Sequence, residues 1–194
     1  MSNDQTGGQP TDEELAIRVQ KGDKDAFAVL LEHFERKLLR YGSKFISNRQ
    51  DIEDIVQDVF VSAYQNIQSF DASQRFSPWI YRIAHNKFVD AIKEKSRTPL
   101  VFFDFDTLFS HHVYDESSET DREQTEMRKM IDKGLEKIPI KYREILILHY
   151  LEELKYKEIA EVLHVPTGTV GIRLKRAKEA LKKVYTDMKI DYGS

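Results

Sequence analysis

The sequence predicts an all-α protein in which an acidic, flexible linker joins two small helical domains. Apolar residues recur at three- and four-residue intervals in several segments, as on the buried face of a helix. Between two groups of such segments, residues 99–121 hold six acidic residues, no Lys or Arg and no helical period. The predicted parts are a tail (1–11), a first domain (12–98), the linker (99–121), a second domain (122–187) and a tail (188–194).

Composition limits the classes of function. The 194 residues contain no cysteine, which excludes disulfides, thiolate zinc sites and cysteine nucleophiles and fits a reducing compartment. Neither a secretory leader nor an apolar run long enough to cross a membrane is visible, so we expect a cytoplasmic protein without membrane insertion. The net charge is −3, but charge is distributed unevenly along the chain, since residues 122–187 hold fifteen basic and eleven acidic residues. Local positive charge of this kind favours phosphate binding.

Two helices are predicted at the start of the first domain. The first spans Asp12 to Gln20, and Asp23 or Asp25 can cap a longer one that runs to about Phe45. Apolar residues keep helical spacing along the second helix. Both helices are therefore interpreted as scaffold.

A third helix, opened by Asn48 or Asp51, has one continuous apolar stripe and a polar opposite face. The candidate docking residues on this polar face are Asp51, Glu53, Asp54, Gln57 and Asp58. The helix dipole favours acids in the first turn but does not explain Asp58, two turns in, and like charges at Asp54 and Asp58 repel. The face is either a solvated surface or a docking surface for a basic partner.

A fourth helix is predicted over residues 76–97. Ser77 can cap it with Pro78 at the first position, while Phe76 just outside packs on Tyr81 as a hydrophobic staple. Its exposed face is polar and mostly basic, and consists of Arg82, His85, Asn86, Lys87, Asp90 and Lys93. This face is either solvated or in contact with a partner.

Phe70 lies in the polar connection before this helix. An aromatic ring beside a basic helix is a candidate for contact with a nucleic-acid base, and the alternative is that it closes the core. In the linker, residues 101–109 are either part of a disordered tether or a segment that docks on a partner. His111 and His112 have no matching ligands nearby, so no metal and no cofactor are expected.

The second domain is predicted to begin near Asp121 with a helix whose apolar stripe includes Ile131, and Pro139 starts a second, very apolar helix that includes Leu151. A short helix, YKEIAEVL, is followed by a break at 164–166 and a long helix from Thr167 to about Val184. Two helices joined by three residues form a helix-turn-helix arrangement.

Helical periodicity divides the last helix into an apolar face, predicted to be buried, and an opposite face that is mostly positive. A recognition helix reads base edges with its N-terminal turns, and its later cations hold phosphates. Exposed Ile172 suits contact with a thymine methyl group, and Gly171 permits close approach at a cost of about 1 kcal/mol relative to Ala. The candidate DNA-contacting residues are Gly168, Thr169, Gly171, Ile172, Arg173, Lys175 and Arg176, of which Arg173 suits a phosphate better than a base.

Three stretches together resemble the extracytoplasmic-function group of the sigma-70 family, the promoter-recognition subunits of bacterial RNA polymerase. They are DIEDIVQDVFVSAYQNIQSFD, FSPWIYRIAHNKFVDAIKEKSR and IPIKYREILILHYLEELKYKEIAEVLHVPTGTVGIRLKRAKEAL, in family order. The resemblance implies that Asp54, Gln57 and Asp58 dock on the clamp helices of core RNA polymerase. It also implies that His164, which stands where glycine is usual, adopts left-handed geometry.

The resemblance further implies that the fourth helix grips the downstream promoter element and captures an unstacked base of one strand. Asn86, Asp90 and Lys93 match the positions of the family's readers. The full candidate set is Phe70, Phe76, Tyr81, Arg82, His85, Asn86, Lys87, Asp90 and Lys93. The last helix is expected to read the upstream element in duplex DNA, and a membrane-linked anti-sigma factor is an expected partner.

Three other functions are compatible with parts of the sequence. A dimeric repressor or activator could use the same recognition helix, but it would leave Asp54 and Asp58 without a role. An enzyme is disfavoured because no paired carboxylate, catalytic triad or phosphate-cradling glycine loop is visible. A helical adaptor that binds only proteins would tolerate charge reversal at Arg176.

Overall fold

The computed structural model describes residues 9–96 and 130–188, with Lys95 and Ser96 as backbone only. The first unit contains four helices: α1 (Asp12–Gln20), α2 (Lys24–Gly42), α3 (Arg49–Asn66) and α4 (Phe76–Ser96). In the second unit, helical residues 130–136 form α5 and are followed by α6 (Ile140–Leu146), α7 (Tyr156–Val162) and α8 (Thr167–Asp187). A 3-10 turn (Ile67–Ser69) follows α3, and a π-helical turn (Ile147–Leu151) extends α6. Within these two ranges every regular element is helical, which confirms the all-α prediction. The predicted linker and both domain boundaries beside it lie outside the described residues.

Side chains that cap the backbone fix where the first three helices begin. Thr11 and Glu14 form a reciprocal capping box at α1. Asp23 accepts hydrogen bonds from the backbone of residues 25 and 26 at the start of α2, and Asn48 accepts one from Asp51 at α3. Of the alternatives that the sequence left open, Asp23 and Asn48 are thus the caps.

Two boundaries differ from the prediction. The α2 helix ends at Gly42 rather than near Phe45. The α4 helix begins at Phe76, so Ser77 lies inside it, and the Phe76 N–H donates instead to Glu13 Oε1 of α1 at 2.8 Å. A carboxylate from a distant helix therefore satisfies a donor at this helix start.

The first unit encloses an aromatic core. Tyr41 contacts Phe45, Tyr81 and Phe88 edge-to-face at centroid distances between 4.8 and 5.8 Å. Gly42 lets the helices cross closely, because a Cβ there would collide with the Phe88 ring and with Ile52. The tight crossing positions α4 on the scaffold.

The second unit packs α5, α6 and α7 around α8. Gly134 of α5 abuts the Tyr185 ring of α8, which leaves no room for a Cβ. Leu151 is 46% exposed and Ile131 is 39% exposed, so the prediction that they line the core is wrong for both. The π-helical turn at the end of α6 changes the angle per residue, and this carries Leu151 away from the buried face.

The two units contact each other, with α7 packed against α4. Glu144 and Glu152 of the second unit are buried, and both lie against side chains of the first. The Tyr41 hydroxyl donates to Glu144 Oε1, and Arg40 Nη2 donates to Glu152 Oε1 at 3.2 Å. Burial, followed by the charge of Glu144, raises the pKa of Tyr41 well above its usual range.

Candidate functional site

The α8 helix presents an exposed cationic face at its N-terminal half. Val170, Leu174 and Ala177 are buried on the side that packs against α6 and α7. Gly168, Lys175 and Arg176 are exposed, Ile172 is 56% exposed, and Thr169, Gly171 and Arg173 are partly buried. Neither Lys175 nor Arg176 has a carboxylate partner within the two described ranges. The face thus combines uncompensated charge with one exposed aliphatic side chain.

The turn before α8 has the geometry of a helix-turn-helix. His164 adopts φ +51°, the left-handed conformation expected from its position. The Val165 N–H donates to the Ala160 carbonyl at 3.0 Å and closes the end of α7. The left-handed residue turns the chain so that α8 can cross α7.

Exposed aromatic residues that the sequence interpretation did not single out lie at the end of α6 and the start of α7. Tyr150 and Tyr156 are exposed, and the His149 ring packs edge-on against both, at centroid distances of 4.7 and 5.4 Å. A Cβ added at Gly171 would lie 3.6 Å from the Tyr156 ring, an ordinary contact. Gly171 is therefore not required by packing. The position of Tyr156 at the first turn of α7, the helix that precedes α8, was the available signal.

The polar face of α4 is partly open. Arg82, Asn86 and Asp90 are exposed, whereas His85, Lys87 and Lys93 are partly buried. Lys93 Nζ lies 3.8 Å from Asp90 Oδ1, a loose pair one turn apart. These six side chains lie on one helix face, as the periodicity predicts.

Three aromatic residues of the candidate downstream-element set lie inside the first unit. Phe70 is 4% exposed, and Phe76 and Tyr81 are fully buried. The Phe70 ring packs against Phe76 and Trp79 at 5.3 and 5.5 Å. In this conformation none of these rings can stack on a base, so Phe70 closes the core. Phe70 in the loop and Phe76 at the helix start are aromatic because both side chains pack into the core.

The α3 face has two open acids. Asp54, Gln57 and Asp58 are exposed, whereas Asp51 and Glu53 are partly buried. Arg49 Nε donates to Glu53 Oε1 at 2.6 Å, so this carboxylate already has a cationic partner. Asp54, which accepts a hydrogen bond from Gln50 Nε2 at 3.1 Å, and Asp58 are the exposed acids of this face, and neither has a cationic partner among the described residues.

Exposed apolar side chains continue this α3 face and were missed in the sequence. Val61 is 54% exposed and Tyr64 is 43% exposed. Val61 follows Asp54 by seven residues, which places both on the same side of a helix. Extending the helical phase beyond the charged residues was the signal for them. We call Asp54, Gln57, Asp58, Val61 and Tyr64 the α3 ridge.

The described residues contain neither a candidate metal site nor a candidate membrane span. No group of three or more His, Asp or Glu side chains in residues 9–96 and 130–188 could hold a metal ion. His111 and His112 lie outside these ranges. None of the described helices is both long and apolar enough to span a bilayer.

Each of the two units matches a known protein family. The sigma-70 region 2 family matches residues 30–98, and the sigma-70 region 4 family matches residues 128–181. The class of protein is therefore that of the sigma-70 factors, with region 2 in the first unit and region 4 in the second.

Relatives that match this chain over most of their length identify the group within the sigma-70 factors. The ECF RNA polymerase sigma factor SigW of Bacillus subtilis is 37% identical over 179 residues, which cover 88% of this chain and 95% of that protein. The ECF RNA polymerase sigma-E factor of Escherichia coli K12 is 32% identical, over 89% of this chain and 93% of its own length. The chain belongs to the extracytoplasmic-function group of RNA polymerase sigma factors.

Solved structures share the fold. CnrH in complex with the cytosolic domain of CnrY gives a TM-score of 0.65 at 24% identity, covering 92% of this chain and 99% of that one. The sigma factor RpoE, in complex with the anti-sigma factor NepR from Bartonella quintana, gives 0.64 at 21% identity, covering 86% and 98%. Both are similar to this chain in the arrangement of their helices.

Proposed function

We propose that this sigma factor docks on core RNA polymerase through the α3 ridge, reads the upstream promoter element with α8 and reads and helps to melt the downstream element with α4. The protein supplies promoter specificity and adds no catalysis of its own. The observation that carries this assignment is the exposed N-terminal half of α8, where Ile172 lies near Lys175 and Arg176, cations without a carboxylate partner in the part of the chain that the structure describes.

The α8 face suits duplex DNA. Lys175 and Arg176 can donate to guanine or phosphate acceptors, and Ile172 can contact a thymine methyl group in the major groove. Gly168 and Thr169 lie in the first turn of α8. The Thr169 N–H donates to the Pro166 carbonyl at 2.8 Å, so the Gly168 N–H and the Thr169 hydroxyl are the groups assigned to a phosphate oxygen. Reading of bases is therefore assigned to the first turns of α8.

The α4 face suits the displaced strand. Arg82 and Lys87 supply positive charge, while Asn86 and Asp90 can hydrogen-bond the edge of an unpaired base. The buried aromatic residues below this face hold the helix in position rather than contacting DNA. Base capture is therefore assigned to polar side chains of α4.

The α3 ridge suits a protein partner. Two open carboxylates lie beside the exposed apolar side chains Val61 and Tyr64, so the ridge offers both charge and contact area. A basic helical surface such as the clamp helices of core polymerase has the complementary charge. Polymerase docking is assigned to this ridge.

A regulatory protein partner is also proposed. CnrH and RpoE, which share this fold, are described in complexes with CnrY and NepR. We propose that this chain is likewise held by an anti-sigma factor linked to the membrane, and that it acts in the cytoplasm. To test this partner, the tagged protein is incubated with a detergent extract of purified membranes, and the membrane protein that it captures is identified.

Copurification with core polymerase tests the proposed function. The full chain is mixed with purified core enzyme and separated by size, and the expected result is a stoichiometric complex. A folded protein that elutes apart from core enzyme would contradict the proposal. A free dimer that binds duplex DNA without polymerase would instead favour a conventional repressor or activator.

A further inference from the structure

The α3–α4 loop (residues 71–75) is tied at its start to α1. Gln20, the last residue of α1, donates from its side-chain amide to two backbone carbonyls, that of Ile67 at 2.8 Å and that of Phe70 at 2.9 Å. Gln68 returns the contact, because its side-chain amide donates to the Gln20 carbonyl at 2.9 Å. Two glutamines thus join the end of α1 to the 3-10 turn that leads into the loop.

The far end of the loop is tied to the same helix. The N–H of Phe76, the first residue of α4, donates to Glu13 Oε1 at 2.8 Å. Glu13 and Gln20 are seven residues apart, which places them on one side of α1. The rings of Phe70 and Phe76, on either side of the loop, pack against each other with centroids 5.3 Å apart. Hydrogen bonds from one side of α1 and aromatic packing therefore fix both ends of the loop.

Between these ends the loop forms a turn that displays polar side chains. Asp71 Oδ1 accepts from the Ser73 N–H at 2.9 Å, and the Gln74 N–H donates to the Asp71 carbonyl at 2.9 Å. The side chains of Asp71, Ser73 and Gln74 are exposed. Arg75 is directed instead to Glu158 of the second unit, with Nη1 3.2 Å from Oε2. The loop therefore offers a carboxylate, a hydroxyl and an amide from one ordered turn.

These side chains suit a nucleobase better than a phosphate. A carboxylate, a hydroxyl and an amide together supply acceptors and donors for the edge of an unpaired base. The carboxylates of Asp71 and Glu13 repel a phosphate, and Glu13 already occupies the first backbone donor of α4. The base is therefore the part of a nucleotide that fits at this loop.

We propose that α1 positions the α3–α4 loop for promoter reading, so that the exposed side chains of the loop accept one unpaired base of the displaced strand. The inference rests on the proposed role of α4 in reading the downstream element. Gln20 and Glu13 are positioning residues and do not contact DNA. Asn86 lies ten residues after Phe76, about 15 Å further along the helix axis, so the loop and Asn86 contact different bases.

The order of the loop determines its base preference. A loop that is fixed before binding loses little conformational entropy when a base enters, and its side chains keep one geometry that only some bases match. Without the Gln20 amide, the Ile67 and Phe70 carbonyls would turn to water, and the loop would sample several positions. Preference would then fall at the base that the loop contacts, while the other positions keep theirs.

Promoter selection by variants tests the positioning. Each variant is combined with core RNA polymerase and a randomised promoter library, and base frequencies in the transcribed templates are compared position by position. Ser73→Ala with Gln74→Ala identifies the position that the loop reads. Gln20→Met keeps the length of the side chain but removes its N–H donors, so it should lower the preference at that same position at least about fivefold. The position read by Asn86 and the whole upstream element should stay unchanged.

Thr11→Ala is the matched control, because it removes the capping hydrogen bond at the start of α1 and leaves Gln20 and Glu13 in place. It should leave every base preference unchanged. If Gln20→Met weakened transcription from all templates alike, or if Thr11→Ala lowered the same preference, α1 would only stabilise the fold and the positioning would be overturned. Absence of a loop-dependent position would overturn the base site. Absence of any selected element with the unmodified chain would instead contradict the proposed function.

Hydrogen exchange of the full chain gives a second measurement. Glu13→Ala removes the acceptor of the Phe76 N–H, whereas Glu13→Gln keeps an oxygen at this place. Gln20→Met and Glu13→Ala should accelerate exchange at the amides of residues 70–76 several-fold, while Glu13→Gln keeps the parent rates. Unchanged exchange at these amides in folded Gln20→Met and Glu13→Ala variants would also overturn the positioning.

Discussion

The Tyr41 hydroxyl of α2 donates a hydrogen bond to the buried carboxylate of Glu144 in α6. These residues are separated by 103 positions in the chain, so the contact joins the first unit to the second. The same carboxylate also faces His85 of α4. One buried acid therefore connects α2, α4 and the second unit.

Tyr41→Phe should destabilise the whole protein. The substitution removes a donor from a buried carboxylate, a loss of about 1 to 3 kcal/mol in the free energy of unfolding. Urea unfolding of the full chain measures it, and Tyr64→Phe on the exposed α3 ridge should stay within about 0.5 kcal/mol of the parent. Equal effects of the two substitutions would mean that the Tyr41 contact is not formed.

Two glycines in helices should respond oppositely to alanine. Gly42→Ala forces a Cβ into Phe88 and Ile52, so we expect a loss of about 1 to 3 kcal/mol in the free energy of unfolding. Gly171→Ala makes only an ordinary contact with Tyr156, and its better helix propensity should add up to about 1 kcal/mol. Denaturant unfolding of both variants checks the pair, and a stabilising Gly42→Ala would contradict the close helix crossing.

Charge reversal on the α3 ridge should abolish assembly with polymerase. Asp54→Lys with Asp58→Lys replaces the two open acids, and repulsion from a basic partner should eliminate the complex while the circular dichroism spectrum stays helical. Glu35→Lys with Asp25→Lys, at exposed positions on α2, is the charge-matched control. Normal assembly by the ridge variant would remove the docking assignment.

The exposed Ile172 should govern base preference. Ile172→Ser removes an apolar contact to a base, so selectivity at one upstream position should fall by about 1 to 3 kcal/mol while binding to other sequences changes little. Lys183→Ser, at the far end of α8, should weaken all sequences alike. Competition binding against single-base variants of the upstream element separates the two patterns. A uniform loss for Ile172→Ser would count against direct reading.

Periodicity in the sequence predicted the helices and the faces of α3, α4 and α8, because each helix alternates buried and exposed residues regularly. Periodicity did not predict the features that depend on tertiary contacts. Phe76 takes its cap from Glu13 on another helix, and Leu151 is turned outward by a π-helical turn. The sequence left two alternatives for Phe70, and packing against Phe76 and Trp79 places its ring in the core.

The contacts between the units had no local sequence signal. Glu144 lies in a strongly apolar helix, and its partners Tyr41 and His85 come from helices far earlier in the chain. Only the packing of the two units brings these residues together. The resemblance to a family gave no indication of this contact.

The most direct test of the promoter assignment is run-off transcription from a randomised promoter library with core RNA polymerase and three forms of the protein. With the unmodified chain, the transcribed templates should be enriched in two elements at a fixed separation. Ile172→Ser should change only the upstream element, and Asn86→Ala only the downstream one. Absence of enriched elements, or a change of both elements by either substitution alone, would contradict the account.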